Sequence, residues 1–135
     1  MYLLDTNVVS ALRIRRPNLD KVWEWAESVD VTRQYLSAIT ILELERGIHL
    51  AERRDSPKGV ILREWFEQVL VRFSLRILAI DQTVARRCSA LHVPDPLPDL
   101  DALIAATALT HSLTVVTRNI RDFERTGVQT LDPWA

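Results

Sequence analysis

Two rhythms of apolar residues run through the chain. The first is a set of short blocks, too brief for helices: Tyr2-Leu3-Leu4, Tyr35-Leu36-Ser37, Arg76–Ile80, Leu113–Thr117 and Val128–Leu131. They read as strands; the β-branched Leu113–Thr117 block is of the kind found inside a parallel sheet, and Val128–Leu131 reads as a last edge strand. The second rhythm is helical, with apolar residues three and four apart. It predicts a short helix over Val8–Leu12, an amphipathic one over Leu19–Val29 and another over Ala38–Ala51. An aromatic helix carries Leu62, Trp65, Phe66, Val69, Leu70 and Phe73, and the next carries Val84, Ala85, Cys88 and Leu91. Asp99–Leu109, rich in small and apolar residues, is expected to be the most buried helix. Pro17, a polar turn over Glu52–Gly59 and the proline-rich loop His92–Pro98 punctuate these elements, and Ile120–Arg125 makes a turn of helix. Strands alternating with helices predict an α/β domain with a mostly parallel central sheet flanked by helices, spanning residues 1–135 without repeat or linker.

Three carboxylates stand at corresponding places in this pattern. Asp5 follows the first strand, and Asp5-Thr6-Asn7 are residue types that leave a strand and cap a helix. Either Asp5 is only that cap, or, if its strand is central, it opens on the crevice at the carboxyl edge of the sheet where α/β folds hold ligands. Glu43 lies on the helix after the second strand, on a face shared with Ile39, Leu42, Arg46, Gly47 and Leu50 and opposite the stripe of Ile41, Leu44, Ile48 and Ala51. Partly withdrawn from water, it needs a partner, and Arg46, three residues on, is the structural choice. Asp101 opens a helix, where the helix dipole favours an acid in any case.

In a parallel sheet the end of the first strand and the Thr117-Arg118-Asn119 corner are neighbours, with Glu43 and Asp101 set to lean over the same edge. Carboxylates about 4 Å apart repel by roughly 4 kcal/mol at an effective dielectric near 20. Convergence of Asp5, Glu43 and Asp101 therefore calls for a cation, and hard oxygen donors suit Mg²⁺ or Mn²⁺, which polarise phosphoryl oxygens and activate water. His49, His92 and His111 lack zinc-site spacing, and Cys88 lies on an apolar stripe as a packing residue.

Composition changes the picture little. The chain is 47% hydrophobic and 26% charged, ordinary for a globular domain, and its formal net charge of −1 demands no polyanionic partner. Of 17 basic residues only Lys21 and Lys58 are lysines, an arginine excess that fits phosphate contacts and fits coding bias as well. Arg13, Arg15 and Arg16 cluster beside the Asp5 end, as a phosphate contact or as solvated surface. A single cysteine precludes an intrachain disulfide and suits a reducing compartment. With no signal-like start and no apolar run near 18 residues, a soluble cytoplasmic protein without membrane contact is expected.

Four stretches then occur in order along nearly the whole chain: Leu3-Leu4-Asp5-Thr6-Asn7, Ser37-Ala38-Ile39-Thr40-Ile41-Leu42-Glu43-Leu44, Asp101-Ala102-Leu103-Ile104-Ala105-Ala106-Thr107-Ala108 and Val116-Thr117-Arg118-Asn119-Ile120-Arg121-Asp122-Phe123. Together they make the chain resemble PIN-domain ribonucleases of the VapC and FitB type, the toxin halves of bacterial type II toxin–antitoxin pairs. The resemblance implies a three-layer PIN-like fold and a metal-dependent endoribonuclease that hydrolyses RNA phosphodiesters with Mg²⁺ or Mn²⁺. It makes Asp5, Glu43 and Asp101 the metal-binding acids. Relatives often carry a fourth acid at the place of Asn119; here Asp122 is the candidate, acting through water, and the number of ions stays open. Thr6, Asn7 and Thr117 become the hydrogen-bonding residues behind the acids, and Arg118 or the Arg13, Arg15, Arg16 cluster the contacts to RNA phosphates. The resemblance further implies a homodimer and a small VapB- or FitA-like antitoxin whose arginine replaces the metal's charge in the acidic site. The pair would bind promoter DNA through the antitoxin alone.

Two rival readings stand beside this one. A receiver-like phospho-acceptor domain needs a lysine near a late strand end, and neither Lys21 nor Lys58 is so placed. A catalytically silent module that grips a basic partner through an acidic pocket has the same acids and differs only in turnover.

Overall fold

Successive residues of a strand face opposite sides, and β1 (Tyr2–Leu4) uses this to join two cores. Leu3 packs with Val115 of β4 (Thr114–Val116) among Ile39, Ile104, Ala105 and Ala108. Leu4, pointing the other way, packs with Val116 and with Leu36 of β2 (Gln34–Ser37) among Val8, Leu44, Ile48 and Phe66. Helical layers thus cover both faces of one sheet. In the computed structural model, which describes residues 1–135, β3 (Ile77–Leu78) and β5 (Thr130–Leu131) complete five strands in the order β3-β2-β1-β4-β5. Every pairing is parallel, where a mostly parallel sheet was expected. The outer strands are shorter than their apolar blocks, because pairing stops where the neighbouring strand ends.

The order of the strands sets the site. The chain lays β2 and β3 on one side of β1, then returns to lay β4 and β5 on the other, so β1 and β4 flank the reversal. Their register pairs Leu4 with Val116, which brings Asp5 and Thr117 off adjacent strand ends on the carboxyl edge. The Asp5 N–H donates to the Val116 carbonyl at 2.9 Å. Such a reversal leaves a crevice between diverging connections.

The helices are α1 (Thr6–Ala11), α2 (Asp20–Ser28), α3 (Ala38–Arg54), α4 (Ser56–Arg72), α5 (Gln82–Leu91) and α6 (Asp99–His111). Residues Ile120–Thr126 form a 3₁₀ segment. As expected, α6 is heavily buried, with Ala102 and the run Ile104–Ala108 inside. Asp81 caps α5 by accepting the Val84 N–H at 2.9 Å. That helix meets α6 through Val84, Cys88 and the partly buried Leu91, while Ala85 faces solvent.

One expectation fails between α3 and α4. The polar turn over Glu52–Gly59 is helix throughout except at Asp55, which ends α3 and, as N-cap of α4, accepts the Lys58 N–H at 3.2 Å. Polar helix ends and polar loops look alike in composition; the Asp-Ser-Pro start signal was the distinguishing feature. Gly59 lets the two helices close, since a Cβ there would lie 2.6 Å from Glu52 Cα. Arg63 spans the same hairpin, binding Glu45 at 2.7 Å and Glu52 at 2.9 Å. On α3 the buried face is Ile39, Thr40, Leu44 and Ile48; Glu43 is half-buried, as expected, whereas Leu42 and Leu50 are exposed, so the face they share with Ile39 and Glu43 is covered only in part. No helix is long and apolar enough to cross a membrane.

Candidate active site at the carboxyl edge of the sheet

Asp5 is 6% exposed and is held from several directions. Its Oδ1 accepts the Thr6 N–H at 2.8 Å, which caps α1. Capping occupies one oxygen only. Oδ2 is turned to the end of β4, where it accepts from Thr117 Oγ1 at 2.8 Å and from Asn7 Nδ2 at 3.2 Å. Thr117 Oγ1, having given its proton to Asp5, accepts the Asn119 N–H at 3.0 Å, and Asn7 Oδ1 accepts the Arg118 N–H at 3.2 Å. The β1 and β4 ends are thereby stitched by side chains beyond the last sheet hydrogen bond. Burial pushes the Asp5 carboxyl above its ordinary value, and the charge of Glu43 adds to that, although the hydrogen bonds from Thr117, Thr6 and Asn7 pull the other way.

Glu43 enters from α3. Thr6 Oγ1 donates to its Oε1 at 2.7 Å, so the partner it needs is a hydroxyl from α1. Arg46 is not that partner: the ion pairs of the chain leave Glu43 and Arg46 out. A hydroxyl has one proton, and that of Thr6 is given to Glu43, so Thr40 Oγ1, 3.3 Å from Thr6 Oγ1, is the donor in that pair. Thr40 is fully buried and belongs to the site's support, a role not read from the sequence. Its one signal was a hydroxyl in line with Leu44 and Ile48 on the core face of α3.

Asp101, in the first turn of α6, is half-buried, and its carboxyl is pushed up from 3.8 to about 6. Desolvation is the largest cause, followed by the negative charges of Asp122, Asp5 and Glu43. Asp122 stands in the first turn of the 3₁₀ segment, on an exposed position. Four acids from four separate elements thus act on one another, and none of them is in an ion pair. Their side chains do not close around a common point, however: no three His, Cys, Asp or Glu groups are arranged to hold one ion. What fits a hard divalent cation here is the donor chemistry, uncompensated carboxylate oxygens in one field, rather than a preformed cage.

The basic residues separate. Arg15 is taken up by Asp20 at 3.0 Å and Glu27 at 2.7 Å. Arg118 is exposed beside the corner, its guanidinium 5.3 Å from the Trp134 ring centre. Arg13 lines a groove of about 420 Å³ that begins at Thr6 and Glu43. A smaller apolar cavity of about 160 Å³, on the Val9 and Leu12 face of α1, contains none of the four acids and belongs to the packing of α1, α2 and α4.

A family profile described as PIN domain matches residues 2–129. Toxin FitB of Neisseria gonorrhoeae is 39% identical over 141 residues, covering 99% of both chains. A protein of Sinorhizobium fredii named VapC ribonuclease Y4jK is 33% identical over 140 residues, covering 99% of this chain and 98% of its own. The crystal structure of FitAcB from Neisseria gonorrhoeae superposes with a TM-score of 0.90 at 38% identity, over 99% of both chains.

Proposed function

Because the chain belongs to the PIN-domain family, we propose that it is a metal-dependent endoribonuclease, the toxin of a type II toxin–antitoxin pair. The observation that carries this reading is the uncompensated acidic corner: Asp5, Glu43, Asp101 and Asp122 come from separate elements to one edge, no cationic side chain is paired with any of them, and burial together with the charges of the other three raises the Asp101 carboxyl. Relatives named toxin and VapC ribonuclease support it over the full length of the chain. Asp5, Asp101 and Glu43 would hold Mg²⁺ or Mn²⁺, with Asp122 acting through water. When bound, such an ion polarises a phosphoryl oxygen and lowers the pKa of its water.

The chain's own residues supply position. Thr117 and Asn7 aim one oxygen of Asp5 at the crevice while Thr6 holds the other, and the Thr6 hydroxyl fixes Glu43. Arg118, exposed at the rim, is the nearest cation in sequence to the corner and would meet an RNA phosphate. The net result is hydrolysis, water adding across a P–O bond. A cognate antitoxin, VapB- or FitA-like, would quench the site by offering an arginine to the same acids, and promoter DNA would be bound through it. A homodimer belongs to the proposal, supported by Val71 and Leu75, 77% and 92% exposed around the end of α4.

The test is cleavage of RNA by purified chain, in Mg²⁺ and in EDTA, for the parent and for Asp5→Asn. Cleavage by the parent in Mg²⁺ alone is expected. Equal activity in all arms removes the nuclease reading. No turnover in any arm leaves the silent binding module.

A further inference from the structure

The groove beyond the acids has a chemistry that the acids do not explain. Thr6 and Arg13 line one wall and Glu43 and Gly47 the other, with Lys58 and Trp65 of α4 across the far side. The lining thus carries one acid, Glu43, and two cations, Arg13 and Lys58. Thr6, which holds Glu43, opens α1, whereas Arg13 lies just beyond the carboxyl end of that helix, so the acid and the cation serve different positions along a bound chain. Neither Arg13 nor Lys58 enters an ion pair, in contrast to Arg15 and Arg63. The Trp65 indole N–H has no partner within the chain and is not buried, and its ring is among the groove's lining. Gly47 sits inside the 17-residue helix α3, where glycine is the least favourable residue after proline. No close packing requires it, since a Cβ there would meet nothing within 4 Å. Its effect is to leave the groove floor clear.

We propose that this groove is a phosphate subsite for the RNA strand, in which Arg13 and Lys58 grip a phosphodiester beyond the one at the acidic corner and Trp65 walls the attached nucleoside. The inference rests on the ribonuclease reading above. A phosphodiester strand that carries a divalent ion matches both the acid and the cations of this lining. A basic peptide suits the acids and is repelled by Arg13 and Lys58; an acidic peptide meets the opposite conflict.

The test compares the parent with Arg13→Gln, Lys58→Gln and Gly47→Leu in the full chain, using a labelled single-stranded RNA oligonucleotide. Cleavage in Mg²⁺ is read as kcat and KM, and binding is read by fluorescence anisotropy in EDTA across a salt series. Loss of either cation is expected to weaken RNA on the order of tenfold, the loss falling on KM rather than kcat. The slope of log affinity against log salt should fall by about 0.7 for each. Gly47→Leu favours the helix, so its expected loss of RNA affinity comes from filling the groove and not from unfolding. If the parent cleaves RNA while all three variants keep its KM and salt slope, the subsite is overturned, the nuclease reading survives and the groove passes to a polypeptide. If the parent cleaves nothing, the nuclease reading falls, and the anisotropy slopes alone uphold or overturn the subsite.

Discussion

Asp101→Asn is expected to stabilise the fold above neutral pH and to leave it unchanged in acid. In the unfolded chain the carboxyl has its ordinary value of 3.8, whereas the fold raises it to about 6. Well below 3.8 both states are protonated and the residue contributes nothing. Between the two values the folded state holds a proton that the unfolded chain has released, so stability falls as pH rises, and above about 6 the deficit is constant. At about 1.36 kcal/mol for each pKa unit the deficit is at most about 3 kcal/mol. Asp101 remains in partial contact with water, and screening reduces this to about 1–2 kcal/mol.

Asparagine keeps the shape of the protonated acid and cannot ionise, so it removes the penalty and little else. The assay is urea unfolding of parent and variant in EDTA from pH 4 to pH 8, read as the difference in unfolding free energy. That difference should be near zero at pH 4, climb between pH 4 and pH 6, and level at about 1–2 kcal/mol in favour of the variant. A flat difference, or a variant less stable than the parent at pH 8, would refute the claim that burial together with the charges of Asp122, Asp5 and Glu43 holds the Asp101 carboxyl above its ordinary value.

Other outcomes follow from the same geometry. At pH 8, Mg²⁺ at about a hundred times its Kd should raise the parent's unfolding free energy by about 2.7 kcal/mol, reversed by EDTA, with a smaller gain in Asp101→Asn; thermal melts check this. Thr117→Val keeps the volume but strips a hydrogen bond from a buried carboxylate, and should cost about 1.5–3 kcal/mol in urea unfolding together with most of the RNA cleavage. Gly59→Ala sets a methyl against Glu52 Cα and should cost about 1–3 kcal/mol; an unchanged urea midpoint would show that the α3–α4 hairpin has room to spare. Phe66→Ala empties a fully buried position and should cost about 3–5 kcal/mol, seen as an early thermal transition.

The layers of this fold could be read from the sequence because burial imposes a period. Leu3 and Leu4, or Val115 and Val116, must both be apolar when helices cover both faces of a sheet, and that is written locally. Helix ends were harder. Asp55 both closes α3 and caps α4, and a single residue between two polar helix termini leaves no trace in composition. The uncovered Leu42 and Leu50 show a different limit, since helical spacing reports which residues share a face and not whether anything lies against it.

That the acids share one edge of the sheet was legible for a related reason, and their hydrogen-bond partners were missed for the same one. Asp5 could be suspected because a strand end at a winding reversal opens outward, a consequence of strand order that alternating strands and helices nearly dictate. The group that holds Glu43 had no such signal. Local spacing nominated Arg46, and the donor proved to be Thr6, 37 positions away on another helix. Once Thr6 is so engaged, Arg46 is left out and Thr40 becomes necessary as the next donor. The corner is therefore a chain of hydroxyls shielding acids that repel one another. Neutral donors can orient carboxylates without cancelling their charge, whereas an arginine in the same place would have filled the role the proposal reserves for a divalent ion.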